Sequence, residues 1–311
     1  MAACVQRPAA AARHQCSRVA PPRRAAAVPR CAAQGQQRSS SGSGSQAAPA
    51  PAPAPAPLSQ QASLAAAACA LAALLSTQPA VAEEIVPVYF GNGCFWGRQF
   101  DYVSAEQRLG RSGADLSAVV GYAGGRAAPP PEAGGRVCYY SGKPGTVYED
   151  LGHAETVQVE LRGGEGEQAA QFRRFAEIYF QQFRKTPFGM LRLDPQDAGA
   201  GYRNVIGVPG GVGSPYFKIL QEANVNDMRL LPGKGNIYDA SGKPTEGDEF
   251  NTVWVVDSNE LGFYQAEAYH QFHNGIGEKF PASYTRDLKK VMVETGKVAP
   301  TGCPEYGFLG F

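Results

Sequence analysis

The first acidic residue of this chain is Glu83. Before it lie seven arginines, no lysine, and a background rich in alanine, serine and proline. From Pro49 to Pro57 proline alternates with alanine, a pattern that holds the backbone extended and leaves little apolar surface to bury. Residues 1–82 therefore supply no core, and any folded domain has to be built from 83–311. That leaves 229 residues, enough for one large domain. The formal net charge of +1 conceals the division: 83–311 carry 22 Lys and Arg against 28 Asp and Glu, a net of −6. An acidic folded portion gives no electrostatic reason to bind nucleic acid or an anionic membrane.

An Arg-rich, Ser-rich stretch without acids reads as an organelle transit peptide. Inside it, 63–75 is an apolar Ala/Leu run, and Ala80-Val81-Ala82 is an A-x-A cleavage pattern directly before Glu83. The run is shorter than the roughly 20 apolar residues a bilayer span needs, and it fits the core of a secretory-type signal. The two signals in tandem predict a chloroplast protein delivered to the thylakoid lumen after removal of 1–82. A single transit peptide ending in the stroma is the alternative. Four of the seven cysteines (Cys4, Cys16, Cys31, Cys69) belong to this segment and stay out of any disulfide count. No later stretch is long and apolar enough to cross a membrane.

Hydrophobic patterning over 83–311 predicts strands at 85–90, 116–122, 154–161, 202–208 and 251–256, and helices at 94–109, 165–183, 216–224 and 284–295. In the second helix Phe172, Phe175, Tyr179 and Phe183 fall near one face. Residues 127–152 read as a long Pro/Gly-rich loop, and 236–247 has the turn chemistry of a hairpin. Strands and helices in this order predict a two-layer α/β or α+β sandwich.

Chemistry concentrates at Gly91-Asn-Gly-Cys94-Phe95-Trp96-Gly97. A glycine pair turns the chain out of the first strand, and a cysteine stands where a helix should begin. The first amides of a helix have no internal partners, and the positive end of its dipole favours an anion. A cysteine there is expected to have its pKa drawn from about 8.5 towards 7 or lower. Two bland readings compete. Free cysteine is often a small buried hydrophobe, and glycines after a strand can cradle a phosphate. The spacing G-x-G-x-x-x-G is one residue too long for the dinucleotide fingerprint, which leaves the thiol and core readings.

The run Gly-Cys-Phe-Trp-Gly resembles the active-site signature of the A-type peptide-methionine (S)-S-oxide reductases. Four further blocks resemble that family in the same order: Gly121-Tyr-Ala-Gly-Gly125, Gly152-His-Ala-Glu155, Asp197-Ala-Gly-Ala-Gly-Tyr202-Arg203, and Phe263-Tyr-Gln-Ala-Glu267-Ala-Tyr-His270-Gln271. Together they span Val86 to about Gln271. The resemblance implies a mixed β-sheet with flanking helices and a long coil-rich C-terminal segment, in one catalytic domain at 83–311. It implies reduction of the S epimer of methionine sulfoxide, free or in proteins. Cys94 would attack the sulfur as thiolate, Glu155 would protonate the oxygen, Tyr202 would add a hydrogen bond, Phe95 and Trp96 would hold the methyl group, and Asp197 would organise the site. The product is methionine and a Cys94 sulfenic acid.

That sulfenic acid needs a second thiol, and Cys138 and Cys303 remain. The family commonly places recycling cysteines in a flexible tail, which favours Cys303 in Pro300-Thr-Gly-Cys303-Pro. Cys138 aligns with a non-catalytic family cysteine. A thioredoxin-like dithiol is the expected reductant, with no metal or organic cofactor, and the protein is expected to be a monomer. The chain departs from the family at Gly201, where a glutamine is usual, and at Gly134, near a usual tyrosine for which Tyr148 or Tyr140 substitutes. The inserts at 126–150 and 230–250 are further departures.

His270 and His273, with Glu267 one turn earlier, match zinc spacings poorly and read as core or surface residues. His153 reads as structural. Two other functions compete: a different thiol enzyme, such as a peroxidase or cysteine hydrolase, and a non-catalytic binder of oxidised methionine.

Overall fold

In a computed structural model that describes residues 84–140 and 144–305, the segment expected as the first strand forms β1 (Val86–Gly91). The targeting segment at 1–82, with its four cysteines, lies outside the described residues. β1 pairs antiparallel with β3 (Ala154–Leu161) on one side and β6 (Val205–Val208) on the other. Beyond β3 come β2 (Val119–Ala123) and the short β9 (Tyr264–Gln265), both antiparallel. Beyond β6 come β8 (Thr252–Asp257) and β7 (Arg229–Pro232), both parallel to their neighbours. The result is a seven-stranded mixed sheet in the order β7-β8-β6-β1-β3-β2-β9.

Alternation along the strands gives the sheet two different faces. Val88 and Phe90 of β1, Val157 and Val159 of β3, and Ile206 and Val208 of β6 join one apolar cluster with three helices. These are α1 (Phe95–Arg108), α2 (Glu165–Gln181) and α3 (Pro215–Ala223). Phe90 is the centre of this layer, its ring 5.2 Å from Tyr102 of α1 and 5.9 Å from Phe172 of α2. Burying each such ring is worth roughly 1.5–3 kcal/mol, so a few aromatics dock the helices. Tyr89, Ala123, Ala154, Val205 and Val256 point to the opposite face, against Leu261 and Phe263 of the coil after β8. There Tyr89 donates its hydroxyl to the Leu261 carbonyl at 2.8 Å. The expected mixed sheet with flanking helices is what forms.

Differences from the sequence reading have local causes. The strand expected at 116–122 begins only at Val119, because the buried Glu106 carboxylate, paired with Arg111, takes the Ser117 and Ala118 amides out of the ladder. The second helix stops at Gln181, and the chain turns into an unexpected hairpin, β4 (Phe183–Thr186) with β5 (Gly189–Arg192). At 236–247 there is no ladder but a single bridge, Tyr238 to Pro244, around a turn in which Asp239 caps the Ser241 and Lys243 amides. The last helix divides into a π turn at Ser283–Leu288 and α4 (Lys289–Glu294). The coil before it is tied back by Gln271, whose side-chain amide accepts from the Val120 amide at 3.0 Å and donates to the Val120 carbonyl at 2.8 Å. Gln271 thus acts as one more strand partner for β2. Among the described residues no helix is long and apolar enough to cross a membrane.

Candidate active site

Two backbone features bring a cysteine and a glutamate together. Gly93 lies in the left-handed region at φ 84°, which lets the chain reverse out of β1, and its amide donates to the Tyr202 carbonyl at 2.9 Å. Gly91 passes so close to β3 that an added Cβ would lie 2.5 Å from the Glu155 carbonyl oxygen and 2.8 Å from Thr156 Cγ2. Cys94 is then the N-cap of α1, and Glu155, near the start of β3, points at the first turn of that helix. The Phe95 amide donates to Glu155 Oε2 at 2.9 Å. The carboxyls of Glu155 and Asp197 lie close enough for their charges to act on the Cys94 thiol. Asp197 sits on the loop after β5, which Arg192 holds by donating to the Asp197 carbonyl and, bidentately, to Asp248.

The electrostatics overturn one expectation. Cys94 is only 4% exposed, and its pKa is pushed far up, by burial first and by the Glu155 carboxyl second. The Trp96 amide at the helix N-terminus pulls the other way and loses. Sequence reasoning weighed the helix end and not the desolvation, which grows with depth and here dominates. Burial raises the Glu155 pKa well above its ordinary value, against the Phe95 amide and with help from Asp197, which favours the protonated form. Burial also raises Asp197, while the Cys94 hydrogen bond lowers it.

Tyrosines stand around this pair. Tyr139 and Tyr148 each interact electrostatically with Tyr202, and the Glu155 charge acts on all three. Tyr148 is buried, its ring 4.6 Å from Tyr122 and 5.6 Å from Tyr139. Tyr140 is 50% exposed and packs edge-on against Tyr139, with ring centroids 4.5 Å apart, whereas Tyr148 is the buried one of the two substitutes. Tyr139 was missed; it lies in the Pro/Gly-rich loop, where no periodicity marks it. Gly201, one of the departures, lies against Glu149, whose carboxylate an added Cβ would strike.

Phe95 is 1% exposed and packs on Tyr122 and His270, so it is a wall of the core. Trp96 is partly exposed, stacks on His273 with ring centroids 3.9 Å apart, and donates its indole N–H to His270 Nδ1 at 3.3 Å. Burial lowers the His270 pKa to about 3 and the His153 pKa to about 3. Both rings are neutral. His153 Nδ1 accepts from the Gly125 amide, a structural contact as expected.

The remaining cysteines correct a further expectation. Cys303 is not a free tail thiol; it is bonded to Cys138, with Cα atoms 5.7 Å apart across 165 residues of sequence. Cys138 is therefore a partner rather than a bystander. Among the described residues Cys94 is the one free cysteine. Cys138 immediately precedes Tyr139, which links the disulfide to the Cys94 cluster. A cavity of about 580 Å³ at Glu84, Glu165, Ser214 and Tyr216 is lined by no cysteine or histidine.

Neither a protein-family model nor a curated protein matches the sequence. Among solved structures, methionine sulfoxide reductase A of Corynebacterium diphtheriae matches at 17% identity over 62% of this chain and 74% of that chain, with a TM-score of 0.33.

Proposed function

We propose that this protein reduces the S epimer of methionine sulfoxide to methionine. The observation that carries the reading is a buried Glu155 carboxyl, raised in pKa by that burial, accepting from the Phe95 amide at the first turn of the helix that Cys94 caps. A sulfoxide is reduced by a nucleophile for its sulfur and an acid for its oxygen. Cys94 Sγ forms the bond to the sulfoxide sulfur while Asp197 takes the thiol proton and Glu155 gives its own to the oxygen; the hydroxyl then passes from that sulfur to Sγ as the sulfur–sulfur and substrate sulfur–oxygen bonds break, and the proton on Asp197 restores Glu155. The oxygen ends on Cys94, so thiol plus sulfoxide become sulfenic acid plus thioether; Cys94 is oxidised by two electrons and the substrate sulfur reduced by two. Tyr139, Tyr148 and Tyr202 present hydroxyls on the oxygen side, and Trp96 offers an apolar face for the methyl group. A cysteine hydrolase would want a histidine base, and the groups whose charges act on Cys94 are carboxyls instead.

Attack on the sulfenic acid by Cys138 or Cys303 releases water, and transfer to the other member of the pair leaves the Cys138–Cys303 disulfide and a free Cys94. A thioredoxin-like dithiol then reduces the pair by exchange. The protein with dithiothreitol should convert the S epimer of a blocked methionine sulfoxide and spare the R epimer, and Cys94→Ser should abolish conversion. Turnover retained in that variant overturns the assignment. We place the protein in the chloroplast, in the thylakoid lumen. A native N-terminus at Glu83 supports this, and one well upstream moves it to the stroma.

A further inference from the structure

The Cys138–Cys303 disulfide has a carboxyl beside it that the sulfoxide chemistry leaves unused. Glu267 is 2% exposed, and one of its oxygens lies within 4.8 Å of both sulfurs. Its two oxygens are held in place, one accepting from the Tyr139 amide at 2.8 Å and the other from the Tyr122 hydroxyl at 2.7 Å. The pair also borders an open cavity of about 270 Å³, lined by Ala133, Arg136, Thr146, Gly302 and Pro304. An external thiolate thus has a way in, past a guanidinium that attracts it. Cys303 is the more exposed residue of the pair, at 8% against 3% for Cys138. Attack there expels Cys138, whose amide and carbonyl are both bonded into the 146–148 segment. A thiolate released in that buried place has a high pKa and is a poor leaving group.

We propose that Glu267 is the acid–base group of this disulfide: its carboxyl gives a proton to the Cys138 thiolate as an external dithiol opens the bond, and takes one back when the pair is oxidised. The step balances. The first thiolate of the dithiol bonds to Cys303, Cys138 leaves and receives the Glu267 proton, and the second thiol closes the external disulfide and frees Cys303. The dithiol loses two electrons and the protein disulfide gains two; the dithiol's two protons end on Cys138 and Cys303, one by way of Glu267. Burial raises the Glu267 pKa and the Glu305 carboxylate on the tail adds to this, while the Tyr139 amide and Tyr122 hydroxyl oppose it. Arg136 lies across the cavity, and Glu155 pairs across the sheet with Tyr122. This deepens the recycling step of the sulfoxide reading, but it is tested on the disulfide alone, so either can fail while the other stands.

The test is the rate at which dithiothreitol reduces the disulfide in the full chain, by acid quench and alkylation, between pH 5.5 and 9. After correction for the reagent's own thiolate fraction, the wild-type rate constant should fall as pH rises and Glu267 loses its proton. In Glu267→Gln the corrected profile should be flat and at least ten-fold lower at the acid end, and Glu267→Asp should restore the slope. A Glu267→Gln profile within two-fold of wild type at every pH overturns the proposal. Should that variant fail to fold, a flat corrected profile in the wild type overturns it by itself.

Discussion

The protonated state of Glu155 has a consequence for stability that is separable from catalysis. In the unfolded chain this carboxyl ionises near pH 4.3; in the fold, burial raises its pKa well above that. A carboxyl raised on folding contributes stability that is fully present below the unfolded pKa and is lost as pH rises through the folded one. Above about pH 4.3 the wild type should therefore lose about 1.4 kcal/mol for each pH unit over which the folded carboxyl keeps a proton the unfolded chain has shed. Glu155→Gln removes this loss. Its amide is close in shape to a protonated carboxyl, and its oxygen still accepts from the Phe95 amide now 2.9 Å away. Urea unfolding of both proteins from pH 4 to pH 8, with the disulfide intact, measures the difference. The variant should be level with the wild type near pH 4 and increasingly more stable above it, while sulfoxide reduction falls by 10²-fold or more. A variant less stable by the same amount at every pH would mean that the fold holds an ionised carboxyl, and the proton-donor role would fall with it.

Other perturbations follow from the same contacts. Gly91→Ala drives a methyl into the Glu155 carbonyl; it should cost about 1–3 kcal/mol in a denaturation curve and lower kcat by displacing the acid. Tyr139→Phe and Tyr202→Phe each remove one hydroxyl from the group of tyrosines on which the Glu155 charge acts and should lower kcat/KM about ten-fold with little change in fold. His153 and His270, both with pKa lowered to about 3 by burial, should show ring resonances that do not titrate between pH 5 and pH 8; a midpoint near 6.5 at either would contradict their burial. The rate of sulfoxide reduction should fall as pH rises through the Glu155 ionisation. A rate that climbs with thiol ionisation between pH 8 and 9 would refute the assignment of the proton to Glu155.

Much of the scaffold was legible because it is written in local pattern. Alternation in Ala154–Leu161 placed β3 to the residue, and the aromatic face of α2 identified the helix layer. The glycines at 91 and 93 marked the turn that presents Cys94. Long-range partnerships were not legible. Nothing local announces that Gln271 completes the pairing of β2, that Glu106 shortens the start of that strand, or that Tyr139, in a loop without periodicity, reaches Tyr202. The disulfide is the sharpest case. Cys138 and Cys303 lie 165 residues apart, and spacing gives no reason to join them. Depth was also invisible: the residue types around Cys94 suggest a reactive thiol, but only the packing shows that its surroundings favour the neutral form.

A buried, protonated cysteine is not thereby a poor choice for this chemistry. Thiol plus sulfoxide gives sulfenic acid plus thioether, with no net charge on either side. A fixed cation beside Cys94 would hold a ready thiolate, but a thiolate of lowered pKa is also a weaker nucleophile, by about 0.4–0.5 logarithmic units for each pKa unit. It would, besides, favour the ionised form of Glu155 and remove the proton that the departing oxygen needs. A site in which the thiol and its acid are both neutral avoids both losses. Each unit by which the Cys94 pKa rises costs a tenfold in standing thiolate but returns nearly half of that on the logarithmic scale as nucleophilicity. The proton itself has the Asp197 carboxyl close by to receive it. The three carboxyls near Cys94 then divide by environment: Glu155, sealed between the Phe95 amide and the thiol, keeps a proton to give, and Asp197, on a half-buried loop held by Arg192, has room to accept one. Asp194 acts on the sulfur only by its charge. Burial, which contradicts the simplest expectation for a catalytic thiol, is on this account what lets one small site hold an acid and a base side by side.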